Sequence, residues 1–498
     1  MTTHPTRAQT RSRWTPAAGA ARRTLGITSA GTFLALALFT TPMTAMPTLA
    51  AALRAGPGAQ TWILSSMSVG LAAGLLAFGA LGDEHGRRRV FLAGALLVAL
   101  STAIGAAAEA APLFVVARIG QGLGASALIA CGLGLVAQAF PAGARRARAT
   151  GMWGASVGAG IACGPPLSAG LGPVLGWRAP YALLAAAAVA LAGVGRLLLA
   201  ESRPGRPRPV DLPGTALLGL ALSALLAGLV AGRESWSGPS TVFPLAAAAA
   251  LLAGFVLVER GRQRQGRAPL VDSALFRRPD FVAATAAALA TGLGVIAAMS
   301  FLPTVLERRM GASPLGAALA LEVWSGISVP AALAARRLRL GGNAALALGL
   351  LVVAAGTVLL AGPHLGGGLP GLLPGLAVAG LGSGVLNAAL GRQAVASVPL
   401  DQAGVGSGVN NTARYLGSAV GVSVVGLLAA RPGVGTPLAG WNTAVIVCAG
   451  LSVLGAAVVA ASGLRDRWIR GDDDPVALPG TVRLDATRAP AMPVRDCG

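Results

Sequence analysis

The sequence predicts an all-α polytopic membrane protein, and three observations carry that prediction. The first is composition. Of 498 residues, 54% are hydrophobic and 11% charged, whereas a soluble domain carries roughly 25% charged residues. Such a chain cannot clothe a water-facing surface, and its mean hydropathy is +0.69. The second is the recurrence of apolar runs of about 20 residues, the length that carries a helix across a bilayer core. The third is the confinement of nearly all the arginines to short stretches between those runs.

Fourteen segments read as helices: 26–49, 62–82, 90–108, 113–139, 149–172, 179–199, 212–231, 242–258, 281–303, 315–335, 343–362, 369–391, 403–429 and 441–462. In lipid every backbone polar group must be paired within the structure, which leaves helices or closed barrels. Barrel strands alternate over about ten residues, and these runs are longer and apolar on all sides. The first run follows Arg22 and Arg23 and ends in Thr48-Leu49-Ala50, an outline shared with secretory signal peptides. It is too long for a signal core and thirteen further runs follow it, so an uncleaved first helix is expected. Most of the 71 glycines lie inside the runs, where small residues let membrane helices approach closely. GLGSG (380–384) therefore reads as helix contact, not as a linker. The polar tails, with Asp472 to Asp474, read as solvated chain.

The arginines orient the helices. With the N-terminus inside, the segments on the cytoplasmic side hold 30 arginines and the loops on the opposite side hold six, Arg54, Arg178, Arg233, Arg308, Arg309 and Arg431. That bias follows the positive-inside rule and places both termini in the cytoplasm. The net charge of +21 is therefore loop charge facing a membrane surface. The basic loops lack the interleaved aromatics that stack on bases, so nucleic acid is not expected as a partner. No lysine occurs, which excludes a Walker A phosphate loop and a Schiff-base enzyme. Cys131, Cys163, Cys448 and Cys497 are far apart and three lie in apolar runs, so neither a disulfide framework nor a metal site is indicated.

Two short stretches imitate enzyme motifs. GASVG (154–158) spells the hydrolase elbow, which needs a strand-to-helix turn and a histidine partner. Ser156 falls within a helical run, and His4, His85 and His364 lie in a tail and two loops. GQGLGA (120–125) lacks the preceding strand and the downstream acid of a dinucleotide loop. No nucleophile–base or metal constellation appears, and an enzyme is not expected.

Charge inside or beside the apolar runs points to function. GALGDEHGRRR (79–89) packs two acids, a histidine and three arginines between two runs. Gly82 and Gly86 bracket a turn, and Asp83 stands near a helix C-terminus, where an isolated acid is unfavourable and needs a cationic or helix-N-terminal partner. A topological anchor is the alternative reading. Arg118 lies within an apolar run, where a charged group is a functional candidate by default; a structural bond to backbone carbonyls is the rival account. Glu322, in ALALEVWSG (318–326), is the one acid of 18 placed well inside a run. Ionised at that depth it costs several kcal/mol, so a proton-binding role is preferred, with a structural hydrogen bond or contact to a cation as alternatives. Met43, Met46, Gln121, Trp324 and Asn387 are candidates for the wall of a substrate cavity, although Met and aromatic positions are more often plain packing.

Four stretches together resemble the major facilitator superfamily. GALGDEHGRRR is similar to its cytoplasmic signature loop at Gly79, Asp83, Gly86, Arg87 and Arg88, with Glu84 where a basic residue is usual. RIGQGLGA (118–125) resembles the fourth-helix motif. WGASVGAGIACGPPLSAG (153–170) resembles the fifth-helix signature of the antiporter branch through Gly154, Gly158, Gly160, Gly164 and Pro165; its four glycines are expected to line one close-packing face, Pro165 and Pro166 to bend the helix, and Ser168-Ala169-Gly170 replaces the double glycine. DQAGVGSGVNNTARYLGSAVGVSVVG (401–426) resembles the thirteenth helix of the fourteen-helix drug/proton antiporters at Gly404, Ser407, Gly408, Asn411, Arg414, Gly417 and Gly421.

The resemblance covers about 30 to 460 and implies the major facilitator fold. Two six-helix bundles (25–200 and 281–463) would flank two extra central helices (201–280), with cytoplasmic tails at 1–24 and 464–498. It implies that the charged loop latches the two halves and that Arg118 relays protons or tunes a nearby acid. It further implies export of a hydrophobic or amphipathic small molecule across the cell membrane by alternating access, driven by the proton gradient with no cofactor. Nothing points to an obligate protein partner. Two departures stand out. The branch usually carries an aspartate in its first helix, and alignment on Pro47 puts Leu38 there. The second-half copy of the charged loop, near ARRLRLGG (335–342), has no acid. A downhill facilitator or importer of the same fold, and a membrane sensor or scaffold that has lost transport, are the rival expectations.

Overall fold

The computed structural model describes residues 18–141, 144–202, 211–232, 236–266, 273–335, 340–361, 368–398, 403–429 and 439–471. Among them every element is helical. The helices are α1 (Ala18–Thr40), α2 (Pro42–Ala52), α3 (Pro57–His85), α4 (Arg87–Ala106), α5 (Ala111–Ala139), α6 (Ala144–Leu175), α7 (Arg178–Leu198) and α8 (Leu212–Ala231). They continue as α9 (Pro239–Arg264), α10 (Pro279–Ala290), α11 (Ala297–Met310), α12 (Pro314–Ala334), α13 (Gly342–Val358), α14 (Gly368–Ala396), α15 (Ala403–Ala429) and α16 (Ala439–Gly471). The expectations placed on His4, His364, Asp472 to Asp474, Cys497, Arg233, Arg431 and the loop arginines at 336–339 lie outside the described residues, as do Asp401 and the tail before residue 18.

Each of the fourteen apolar runs coincides with one helix or with two consecutive ones. Proline opens α2, α3, α9, α10 and α12, a position where its missing N–H is no loss. The Ser313 side chain caps α12 by accepting from Gly316 N at 3.1 Å. α11 stops at Gly311, whose φ of 66° makes the left-handed cap that glycine allows. Among the described residues eleven helical stretches, with α10 and α11 joined as one, are long and apolar enough to cross a membrane; α2, α6, α8 and α13 are not among them.

Several helices outrun the apolar runs that predict them, α9 by reaching Arg264 and α14 by reaching Ala396. α11 extends to Met310, so Glu307 and two arginines assigned to a loop sit in its last turns. α16 reaches Gly471, beyond the expected tail boundary at 463. The first run is split at Thr41, where Pro42 begins α2. The ninth is interrupted by a π-helical turn, Thr291–Ile296, between α10 and α11.

The pairing of helices repeats along the chain. α5 packs between α3 and α4, α1 packs on α5 and α6, and α7 packs on α4. In the same relation α14 packs between α12 and α13, α10 packs on α14 and α15, and α16 packs on α13. Small residues set the spacing. Gly70 faces the backbone of Gly122 between α3 and α5, and Gly356 faces Ala379 between α13 and α14. α8 and α9 pack on each other, and α8 lies along α3.

Candidate functional site

Among the described residues Arg118 is the most deeply buried charge, fully enclosed on α5. Its Nη1 donates to the Leu38 carbonyl at 2.8 Å, its Nη2 to the Phe39 carbonyl at 3.1 Å and its Nε to the Ile63 carbonyl at 3.2 Å. Gln121 Oε1 and Met67 Sδ each lie 3.2 Å from Nη1. The local sequence explains the first bond. In a helix the N–H of residue 42 would bond to the carbonyl of residue 38, but Pro42 has no N–H. The Leu38 oxygen is left free, and Arg118 takes it. The negative end of the α1 dipole adds to the attraction. Among the described residues no carboxylate is bonded to the guanidinium, and the geometry is that of the carbonyl-bonded alternative.

A second proline repeats the device. Pro165 frees the Ile161 carbonyl of α6, and Thr40 Oγ1 of α1 donates to it at 3.1 Å. Thr44 Oγ1 donates to the Pro165 carbonyl at 3.0 Å. Gly160 and Gly164 meet the α1 backbone at Phe33, Ala37 and Thr41. Gly154 and Gly158 do not share that face, which corrects the expectation of a single close-packing face. A Cβ on Gly154 would meet nothing within 4 Å, and one on Gly158 would reach only Val329, at 3.9 Å. The two pairs are offset by six residues, which leaves their faces roughly 120° apart around the helix, so one points at α1 and the other to the side of it. Ser156 is helical and donates to the Trp153 carbonyl of its own turn.

Two seams join the halves. Along α3 and α15, Leu76 lies against Gly408, Thr412 Oγ1 donates to the Ala72 carbonyl at 3.5 Å, and the Ser68 and Ser418 hydroxyls meet at 3.1 Å. α8 backs this seam, Leu218 packing on the cluster of Leu76 and Val409. The second seam runs between α6 and α12. Glu322 is half-buried there, and its carboxylate lies within electrostatic reach of Cys163 on α6. One of its oxygens, Oε1, is buried without a hydrogen-bond partner. At one end of the molecule α2 also packs on α11 and α12, and Phe39 meets Tyr415 edge to face with ring centroids 6.0 Å apart.

The cavity candidates separate. Trp324 is buried and donates from Nε1 to Ser383 Oγ at 2.9 Å, so it binds α12 to α14 and turns away from Glu322. Met43 and Met46 are buried in the main apolar cluster. Gln121 is buried beside Arg118, and Asn387 is exposed on α14.

In the second half the π turn is wedged between α15 and α16. Gly292 lies against the backbone of Arg414, Gly417 and Ser418, Gly417 and Gly421 lie against Leu289 and Leu293, and Gly294 lies against Cys448. π turns are rare and often mark functional sites. Asn410 Nδ2 donates to the Ala284 carbonyl at 3.0 Å, and Asn411 Nδ2 to the Ser407 carbonyl at 3.0 Å. Arg414 keeps a buried Nε with no hydrogen-bond partner.

The charged loop is a tight turn at Gly86, whose φ of 105° only glycine adopts readily. Glu201, just beyond α7, accepts from Arg88 N at 3.0 Å through Oε1, and its Oε2 faces Arg89 Nε at 3.7 Å. Arg87 N donates to the Ser202 carbonyl at 3.0 Å and Arg87 Nη1 to the Gly134 carbonyl at 2.9 Å. Gly82 abuts Cys131, and a Cβ on Gly79 would lie 3.8 Å from the Ala130 methyl group. These contacts hold the loop to α5 and to the end of α7; the Asp83 side chain lies outside the described residues. Sequence reading missed Glu201, a carboxylate at a helix N-terminus. It also missed Glu307 of α11, whose Oε1 is buried without a hydrogen-bond partner.

Comparison with known proteins places this architecture. The family model described as the Major Facilitator Superfamily matches residues 28–216 and 212–422. The "Probable actinorhodin transporter" of Streptomyces coelicolor is 35% identical over 405 residues, covering 77% of this chain and 69% of that protein. The "Multidrug efflux pump LfrA" of Mycolicibacterium smegmatis is 30% identical over 458 residues, covering 89% and 86%. The crystal structure of the human organic anion transporter MFSD10 (TETRAN) shares the fold, with a TM-score of 0.58 at 21% identity over 88% of this chain and 99% of that one.

Proposed function

The chain belongs to the major facilitator superfamily, and from that premise we propose that it exports a hydrophobic or amphipathic small molecule from the cytoplasm, coupled to protons. It is a multi-pass membrane transporter and not an enzyme. The fourteen apolar runs would each cross the cell membrane, with both termini in the cytoplasm. The repeated helix pairing supports two six-helix halves, α1–α7 and α10–α16, with α8 and α9 inserted between them. The halves rock about a site near the midplane, opening it to one side and then the other.

The observation that carries the coupling is Glu322, a carboxylate at the α6/α12 seam with a buried, unpartnered oxygen. An unpaired buried charge is costly, so the group serves best where it exchanges a proton or a cationic substrate as the seam opens. The charged loop, in this reading, latches the cytoplasmic side. The export direction agrees with relatives named as an actinorhodin transporter and a multidrug efflux pump.

The test is efflux of a lipophilic fluorescent dye from cells expressing the chain. We expect a protonophore to abolish efflux, and Glu322→Gln to reduce it at least about tenfold, near 1.4 kcal/mol, with unchanged protein in the membrane. A second reading, downhill transport, is favoured by Arg118, whose partners are carbonyls where a titrating acid would serve coupling. Efflux that survives both treatments would establish that reading instead.

A further inference from the structure

The connection from α7 to α8 is pinned by a carboxylate at each end. Glu201, at its start, accepts from Arg88 N at 3.0 Å and Ser202 N at 2.9 Å and faces Arg89, so it sits on the N-terminus of α4. Gly86 leaves room for it: a Cβ there would lie 2.7 Å from the carboxylate. Asp211, at the other end, caps α8 by accepting from Gly214 N at 2.9 Å. Its second oxygen lies 3.5 Å from Arg262 Nε of α9, and the Asp211 side chain is 1% exposed and that of Arg262 14%. Breaking one partner of a buried pair strands the other charge, so the pair fastens α8 to α9. Of the fastened pair, α8 lies along α3, with Gly219 against the Ala73 methyl group. α8 reaches the second half as well, through α15.

We infer that α8 and α9 travel with the first six-helix unit during transport and slide along α15, with Glu201 and Asp211 as the positioning residues that attach them. This rests on alternating access as the mode of transport. The contact with α3 is then permanent, whereas the Ser68–Ser418 contact between the halves must break in every cycle.

Two disulfide variants separate these contacts. In Ala73→Cys/Gly219→Cys the β carbons stand about 3.1 Å apart, slightly closer than the roughly 3.5–4.5 Å of a disulfide. In Ser68→Cys/Ser418→Cys the sulfurs replace oxygens 3.1 Å apart. Each variant is oxidised in membranes, its cross-link is quantified, and dye efflux is compared with that of the native chain given the same oxidant. The expected result is unimpaired efflux with the first cross-link and loss of efflux with the second, reversed by reductant. Loss of efflux with both would overturn the inference and leave alternating access standing. Efflux with both would remove alternating access and the inference with it. Glu201→Gln with Asp211→Asn, added to the first variant, is expected to slow cross-link formation; an unchanged rate would show that these residues do not attach the pair.

Discussion

The α3/α15 seam and the α6/α12 seam occupy matching places, since α3 corresponds to α12 and α15 to α6 in the repeated pairing. They are nonetheless built for different work. The first is closed along its length by small residues and paired hydroxyls, and α8 covers its outer side. The second carries Glu322 and Cys163, and its contact thins beyond Gly158 and Val329. Gly154, one turn beyond Gly158 on α6, would meet nothing within 4 Å if given a Cβ. Duplication supplies two equivalent seams, and side chains then divide the labour between them. Charge is placed at the seam that α8 does not cover.

Substitutions at the two seams and on the two faces of α6 test that contrast. The largest effect is expected from Gly164→Val, whose side chain would enter the backbone of α1 at Ala37 and Thr41. Overpacking of this kind costs about 1–3 kcal/mol, so the purified protein should melt at a lower temperature in detergent, while Gly154→Val melts like the native chain. Equal melting of the two variants would remove the distinction between the two faces of α6. A smaller effect separates the seams. Gly408→Val meets Leu76 at 2.7 Å and Gly158→Val meets Val329 at 3.9 Å. Initial efflux rates should fall about tenfold in the first, near 1.4 kcal/mol, and change little in the second; the reverse order would invert the roles assigned here. Ser68→Ala should be mildest. A hydrogen bond between membrane helices contributes about 0.6 kcal/mol, a difference readable in chemical denaturation and too small to stop transport.

The sequence made the helices legible because each must match the bilayer on its own, so run length and arginine placement report them one by one. Side-chain destinations depend on helix rotation, which composition does not record. Trp324 and Glu322 are neighbours on α12, yet one binds α14 and the other faces α6. Glu307 escaped notice because the apolar run ends at 303 while the helix continues to Met310. Glu201 is separated from Arg88 by 113 positions, and no local pattern joins them. The two glycine faces of α6, by contrast, were available from helical arithmetic alone.

The bond between Arg118 and Leu38 has a consequence for how such a protein drifts over generations. A carbonyl oxygen belongs to all twenty amino acids, so nearly any replacement of Leu38 that fits the space preserves the acceptor. Natural selection can then hold the contact constant while the letter at position 38 wanders. What selection must keep is the imino ring four positions later, because Pro42 is what leaves that oxygen without a helical donor. A comparison of descendants would find the invariant at Pro42 and Arg118, two residues that never touch through their side chains in this account, with the real junction between them unwritten.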